Sequence, residues 1–378
     1  MTIKTPTLDE WLHHCIRCGN CKYVFRNYGP SCPSGEHFNF ETYFASGRIW
    51  LARGLLEGDV SWDQSLSDPI FACTTCGACE VQCLAVHREH IIDMIEELRA
   101  LAVENIEPPP GHSKFRQFIE KHHNPYGEEH HARYLVEEHA LSETSENVLF
   151  IGCTSNYRET QIRDATISVL KKARIDFTIA DERCCGSPLL RTGQRQLAKE
   201  LAQHNSAALA LVEAKRIITS CAGCYRTLCI DYPKLGIDLG IEVVHSSLFF
   251  EESISNDSLR ISDIQQMYRV TYHDPCHLAR HMGVYDSPRN VLSNLPVDLI
   301  EMEYTRENSW CCGSGGGAKP AFSDWAIETG KKRIEHARRA GAKVIVSTCP
   351  FCSRNLRDSA SSEKVEIVDL AELVDRFT

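Results

Sequence analysis

ITSCAGCYRTL (218–228) and VSTCPFCSRNL (346–356) are two versions of one pattern, an apolar run that leads straight into a Cys-x2-Cys pair. The residues around them repeat as well. Ahead of the first lie Val148-Leu149-Phe150-Ile151, running into Gly152-Cys153, a helical stretch near Glu159 to Lys172, the triplet Cys184-Cys185-Gly186, and a longer helical stretch near Gln194 to Ala214. Val243-Val244 closes that unit. Ahead of the second lie Val270-Thr271-Tyr272, Cys276, Cys311-Cys312-Gly313 and a helical stretch near Asp324 to Arg339; Val365-Glu366-Ile367-Val368 follows it. The shared order is an internal duplication offset by about 125 residues. Short apolar runs alternating with helical patterns predict strands in a largely parallel sheet. Ligands of such sheets sit beyond the carboxyl ends of the strands. Cys153, Cys221 and Cys349 each follow an apolar run directly, and Cys276 follows a few residues later, so distant cysteines are expected at one site.

Eighteen of the 19 cysteines fall into four groups, two of them in this duplicated half. The other two stand in residues 1–105. Cys73, Cys76, Cys79 and Cys83 keep the C-x2-C-x2-C-x3-C spacing that wraps a 4Fe–4S cube, in which the fourth cysteine of a two-cluster ferredoxin ligates the other cluster. Cys15, Cys18 and Cys21 keep the triplet, with Cys32 ten residues on and Pro33 after it; Leu84 follows Cys83. The expected sets therefore cross over: Cys15, Cys18, Cys21 and Cys83 on one cluster, Cys73, Cys76, Cys79 and Cys32 on the other. Zinc sites favour separated C-x2-C pairs, so zinc is the weaker reading of these triplets.

The stretch HIIDMIEELRALAV (90–103) carries apolar residues at helical spacing, Pro108-Pro109-Pro110-Gly111 breaks the chain, and residues 112–145 read as a polar, partly exposed helical connector. The expected fold class is α+α/β: a helical ferredoxin-like domain over 1–105, a connector over 106–146, and two α/β units over 147–255 and 256–378. The formal charge of −10 argues against a nucleic-acid footprint, which would be basic. No apolar run approaches a membrane span, and Met1 to Trp11 lacks a secretory pattern, so a cytoplasmic protein is expected. Nineteen cysteines in that setting point to metal rather than to a disulfide framework. No G-x-G-x-x-G or P-loop pattern is present, so a flavin or nicotinamide would sit on a partner.

The Cys-Cys-Gly centre, with an upstream cysteine and a downstream C-x2-C, resembles the D-type subunit of heterodisulfide reductase and its relatives, the iron–sulfur oxidoreductases with cysteine-rich CCG domains. The resemblance covers nearly the whole chain, and CCGSGGGAKP (311–320) looks like the glycine-rich continuation of the family's second motif. It implies a noncubane 4Fe–4S cluster on Cys153, Cys184, Cys185, Cys221 and Cys224, and another on Cys276, Cys311, Cys312, Cys349 and Cys352; the competing reading of either motif is a zinc site or an empty thiol pocket. It further implies that electrons pass through the two cubes to this pair, which splits a disulfide. The alternative function is a pure electron relay in a larger assembly, of the class II benzoyl-coenzyme A reductase type or beside a flavoprotein lactate or glycolate dehydrogenase or an electron-transferring flavoprotein. Implied partners are other redox subunits, a flavoprotein or electron-bifurcating complex, and a disulfide or thiol substrate.

Other residues carry weaker expectations. Gly186 and Gly313 suit a tight turn beside a bulky inorganic core. Gly315-Gly316-Gly317 would leave room for a substrate, expose amides, or form a flexible surface loop. Lys319 is a candidate for stabilising a thiolate or an anionic substrate. His273 and His277, flanking Cys276, are candidates for a proton or hydrogen bond near the cluster, with plain packing as the alternative. The pairs His13-His14, His122-His123 and His130-His131 read as solvated faces, and Cys229 as packing.

Overall fold

The computed structural model describes residues 6–25, 27–130, 134–262, 268–361 and 364–378. The duplicated half forms two parallel sheets. The first contains β1 (Asn147–Leu149), β2 (Arg216–Thr219) and β3 (Glu242–His245), in that order. The second contains β4 (Tyr268–Tyr272), β5 (Val297–Leu299), β6 (Val344–Ser347) and β7 (Glu366–Asp369), in the order β5-β4-β6-β7. Both registers are parallel, with Val148 beside Ile217 and Ile217 beside Val243 in the first, and Val270 beside Val344 and Ile345 beside Ile367 in the second. Residues such as Ile217, Ile218, Ile345 and Val346 are buried, as strands covered on both faces require.

Strand β5 has no clear sequence signal, because Val-Asp-Leu after Pro296 is neither an apolar run nor long. Its counterpart in the first sheet is shorter still: Thr178 pairs in parallel with Val148, its N–H donating to Asn147 O at 3.0 Å. The two sheets therefore share one topology, an edge segment beside the first strand and two further strands on its other side. One core joins them, with Leu149, Ile151, Ile218 and Val244 of the first packed in the same cluster as Val270, Tyr272, Val346 and Val368 of the second. Helices Thr160–Lys172, Arg195–Leu211 and Ser323–Arg339 fall near their expected places, and a further helix, Pro350–Ser359, starts inside the second C-x2-C.

The N-terminal part is helical. Helices Ala45–Glu57 and Ile91–Asn105 pack Ile49, Ala52, Ile91, Ile92, Ile95 and Leu98 around Leu8, Ile70 and Phe71. In the connector, Pro110 opens a helix, Pro110–His122, since proline suits the first helical turn. This helix is only partly solvated: Phe115 and Ile119 pack with Leu189, Leu190 and Leu201, and His112 is fully buried.

Arg99 locks the N-terminal part onto the duplicated half. Its guanidinium donates to five carbonyls, those of Ile70, Phe71 and Cys73 on its own side and of Arg191 and Gly316 across the interface, at 2.6 to 3.1 Å. The glycine run belongs to the same joint. A Cβ at Gly315 would lie 2.8 Å from Thr74 O, at Gly316 2.3 Å from Cys73 O, and at Gly317 2.4 Å from His112 Nε2. The run is thus neither a flexible loop nor substrate space; it is glycine because two backbones meet there. Among the described residues, no helix is long and apolar enough to cross a membrane.

Candidate metal centre

The two N-terminal triplets share one backbone winding. In Cys15-Ile16-Arg17-Cys18-Gly19 the residues on either side of Cys18 have φ of 55° and 84°, and in Cys73-Thr74-Thr75-Cys76-Gly77 those beside Cys76 have φ of 50° and 74°. Two left-handed residues per loop turn the chain around a centre and aim successive cysteines inward. A cysteine of the other run lies beside each triplet. Cys83 interacts with Cys15, Cys18 and Cys21. Cys32 lines one pocket together with Cys73, Cys76 and Cys79.

In the duplicated half, the strand ends and the Cys-Cys-Gly turns converge. Cys153 Sγ stands 4.0 Å from Cys184 Sγ. The contacts continue from Cys184 to Cys185, from Cys185 to Cys224 and from Cys224 to Cys221. The second group repeats this order: Cys276 to Cys311, Cys311 to Cys312, Cys312 to Cys352, Cys352 to Cys349. Gly186 and Gly313 turn with φ of 89° and 95°, and a Cβ on Gly152 would approach Cys224 Sγ to 2.9 Å.

The groups also touch one another. Cys221 contacts Cys349, which joins the two duplicated sites, and Cys76 contacts Cys311, which joins the second of them to the N-terminal part. Cys79 senses the charge of Cys21, so the two N-terminal groups are neighbours too. The eighteen grouped sulfurs form one succession across the molecule.

These donors fit iron–sulfur clusters. Burial pushes the thiols of Cys15, Cys21, Cys79 and Cys83 above their ordinary value, and that of Cys32 up to about 12. A cationic core would favour the thiolate form of these five thiols, while sulfur neighbours already lower Cys76, Cys185, Cys221 and Cys312. Backbone amides already face the sulfurs: Gly35 N–H donates to Cys32, Thr75 N–H to Cys73, Cys224 N–H to Cys221 and Gly313 N–H to Cys311, each at 3.4 Å. Glu182 supports the loop that carries Cys153. Its carboxylate accepts from Ile151 N–H at 3.0 Å and Gly152 N–H at 2.7 Å, while burial pushes its carboxyl up to about 8.

Several weighed residues fall elsewhere. Lys319 is paired with Asn355 and Asp358 at 2.7 Å, so it is committed to local polar contacts rather than to a thiolate or substrate. His13 faces Glu57 and His130 faces Asp181, and the carbonyl of His123, whose ring meets that of His130, accepts from Cys184 N–H at 2.9 Å; His131 lies outside the described residues. Cys229 is half-buried in a π-helical turn, Thr227–Asp231. His273 does reach the site: a ring nitrogen and the sulfurs of Cys312 and Cys352 lie within 4.8 Å of one another.

Sequence reasoning missed the buried ionic framework around the sulfurs. Arg191 binds Glu96 at 2.6 Å and also Asp231, tying the helix Ile91–Asn105 to segments that follow both motifs of the first duplicated unit. Each of these residues is an ordinary charged position in a helical pattern, and no spacing rule marks it as buried.

Comparison with known proteins follows the same divisions. The family model of a cysteine-rich domain, CCG, matches residues 148–229 and again 270–357, and that of a 4Fe-4S dicluster domain matches 11–85. The chain is 35% identical to the D subunit of dihydromethanophenazine:CoB–CoM heterodisulfide reductase of Methanosarcina acetivorans, over 99% of this chain and 98% of that one. It is 34% identical to the B subunit of fumarate reductase (CoM/CoB) of Methanothermobacter marburgensis, over 82% of this chain and 62% of the relative. It is 29% identical to EtfAB:quinone oxidoreductase of Syntrophomonas wolfei, over 96% and 58%. The crystal structure of a hypothetical protein from Helicobacter pylori shares the fold, with a TM-score of 0.57 at 10% identity over 99% of this chain and 72% of that one. With both cysteine-rich modules matched and the identity to the heterodisulfide reductase protein extending from end to end, the chain belongs to the family of D-type heterodisulfide reductase subunits, CCG-domain iron–sulfur electron-transfer proteins.

Proposed function

We propose that this protein takes electrons from a redox partner at its N-terminal end and delivers them to the paired CCG sites, where a disulfide is reduced to two thiols. The observation that carries the reading is the unbroken succession of sulfurs, from the exposed Cys18 through Cys21, Cys79 and Cys76 to Cys311, and on to the meeting of the CCG sites at Cys349 and Cys221. In this reading Cys15, Cys18, Cys21 and Cys83 hold one 4Fe–4S cube, Cys32, Cys73, Cys76 and Cys79 the other, and each CCG set of five cysteines holds a noncubane cluster. When bound, the clusters supply one-electron steps at potentials that charge, hydrogen bonds and exposure set. The reduction takes up two electrons and two protons, one proton on each departing sulfur.

The residues of the chain divide the work. Those beyond the strand ends hold the CCG sulfurs where two units meet, so that one centre faces each sulfur of a disulfide. Arg99, Arg191 and Glu96 keep the N-terminal part seated against them. Ile16, Leu84 and Val86 are 71% to 78% exposed and flank the outermost cysteines, which suits a docking face for a flavoprotein or another redox protein. Eighteen cysteines read as cluster ligands rather than as a disulfide framework suit the reducing cytoplasm.

A second reading is favoured by the spread of the relatives. One belongs to a heterodisulfide reductase and another is an EtfAB:quinone oxidoreductase, so the same succession of sulfurs would also serve a relay without a disulfide substrate. Anaerobically purified protein, assayed for oxidation of reduced viologen by a panel of disulfides including the coenzyme M–coenzyme B heterodisulfide, separates the two. Turnover that disappears in Cys312→Ser, with both cubes intact, is the expected result. No turnover with any disulfide, alongside normal electron transfer to a copurifying partner, would leave the relay reading.

A further inference from the structure

We propose that His273 donates its Nε2–H to the sulfur of Cys312, and that this hydrogen bond gives the second CCG centre a higher reduction potential than the first. His273 follows strand β4, and its backbone N–H donates to Val346 O at 2.8 Å, which holds the residue beyond the strand end. Its ring is fixed from behind. Arg333 Nε, on the helix Ser323–Arg339, donates to His273 Nδ1 at 3.1 Å. An arginine N–H only donates, so Nδ1 must present its lone pair and the ring proton must sit on Nε2. Arg333 is itself wholly buried and anchored by a bond of 2.6 Å to Tyr304 O; burial lowers it to about 10, so it remains a cation at neutral pH.

Nε2 is buried and completes no hydrogen bond of normal geometry among the described residues, while Cys312 is the ring's electrostatic partner. A buried donor left unpaired is costly, so a partner is expected in the assembled site. The neighbours on offer are the sulfurs of Cys312 and Cys352, within 4.8 Å of the ring. The same tautomer argues against His273 as a metal ligand, because Nε2 would first have to lose its proton while Nδ1 stays occupied.

The first unit lacks this device at both ends. The residue three places before Cys153 is Phe150, buried, where His273 stands three places before Cys276. Gly186 packs on Ala198 as Gly313 packs on Ala326, and seven residues beyond each alanine stand Asn205 and Arg333. Asn205 is committed to Tyr232 and to the carbonyls of Arg183 and Cys184. The pair His273–Arg333 is thus replaced as a pair, by Phe150 and Asn205. An N–H aimed at a cluster sulfur favours the reduced, more negative state. The second centre is also the one that meets Cys76, so the site reached first would hold the first electron while the second arrives.

The inference rests on the reading that both CCG sets hold iron–sulfur clusters. The test uses the full chain, reconstituted anaerobically, with redox titration followed by electron paramagnetic resonance. His273→Phe, the first unit's residue, is expected to lower the midpoint potential of one CCG signal and leave the other CCG signal, both cube signals and the iron content unmoved. His273→Gln, which restores an N–H, is expected to bring the potential back toward wild type. An unmoved potential in His273→Phe with full iron would overturn the inference. Loss of about four irons in both variants would overturn it too, by making His273 a ligand. A wild-type chain with only about eight irons and no CCG signal would overturn the cluster assignment itself, and this inference with it.

Discussion

Arg99 shows how much one side chain decides. Its five N–H groups are matched to five carbonyls, and among the described residues no carboxylate shares the task. Removing it leaves several buried carbonyls unpaired, each costing roughly 1–3 kcal/mol. Arg99→Met is expected to destabilise the chain by at least about 3 kcal/mol in denaturant titration, and Arg99→Lys by less, because an ammonium offers three donors in place of five. Gly152 is a second decisive position. Its φ of 75° is unfavourable for any side chain, and a Cβ there would press on Cys224. Gly152→Ala is expected to lose about four irons per chain, from the first CCG set alone; iron content equal to wild type would show that Cys224 can yield. Neither role was legible beforehand. Gly152 stood next to a marked cysteine, but the sulfur it clears lies 72 residues on.

At the scale of elements, the connector helix Pro110–His122 carries a pH dependence. Burial drives His112 down to about 4, against the partial support of its bond to Gly317 O at 2.8 Å; burial likewise lowers His245, at the end of strand β3, to about 4. Both are neutral, folded and unfolded, above the ordinary histidine value near 6.5. As pH falls from 6.5 toward 4 the unfolded chain takes up these protons and the folded chain does not. Stability is therefore full above about 6.5 and is lost on acidification, by about 1.4 kcal/mol per pH unit for each group. His112→Gln is expected to lower the slope of unfolding free energy against pH in this window by one proton's worth; an unchanged slope would mean that His112 titrates normally. Most elements were legible, because apolar runs such as Val344-Ile345-Val346 and the 3.6-residue pattern of HIIDMIEELRALAV report burial on a sheet or a helix face directly. Strand β5 and the bridge at Thr178 were not, since two or three residues with a polar member carry no period. The burial of the connector helix escaped notice for a different reason. Its apolar positions, Phe115 and Ile119, are few, and what covers them comes from the segment around Leu189 and Leu190.

At the scale of the whole molecule, the four sulfur groups lie in one succession. If the N-terminal ligand sets cross over, Cys32→Ser is expected to remove the cluster of Cys73, Cys76 and Cys79, and Cys83→Ser that of Cys15, Cys18 and Cys21, each with loss of about four irons. The opposite pairing of losses, read from cluster-specific spectra, would sink the crossed assignment. Cysteine spacing, the duplicated order and the strand–helix alternation belong to the sequence alone. They determined the family, the α+α/β class and iron–sulfur clusters as the class of cofactor, and they marked the candidate ligands, because short-range spacing and periodicity are local properties of a chain. The tertiary structure alone decided which groups touch: Cys76 against Cys311, Cys221 against Cys349, Arg333 behind His273, and the glycine run against Cys73. Those contacts join residues 60 to 243 positions apart. They are created only when two sheets share a core and a helical domain is locked onto their strand ends, and no local pattern encodes them.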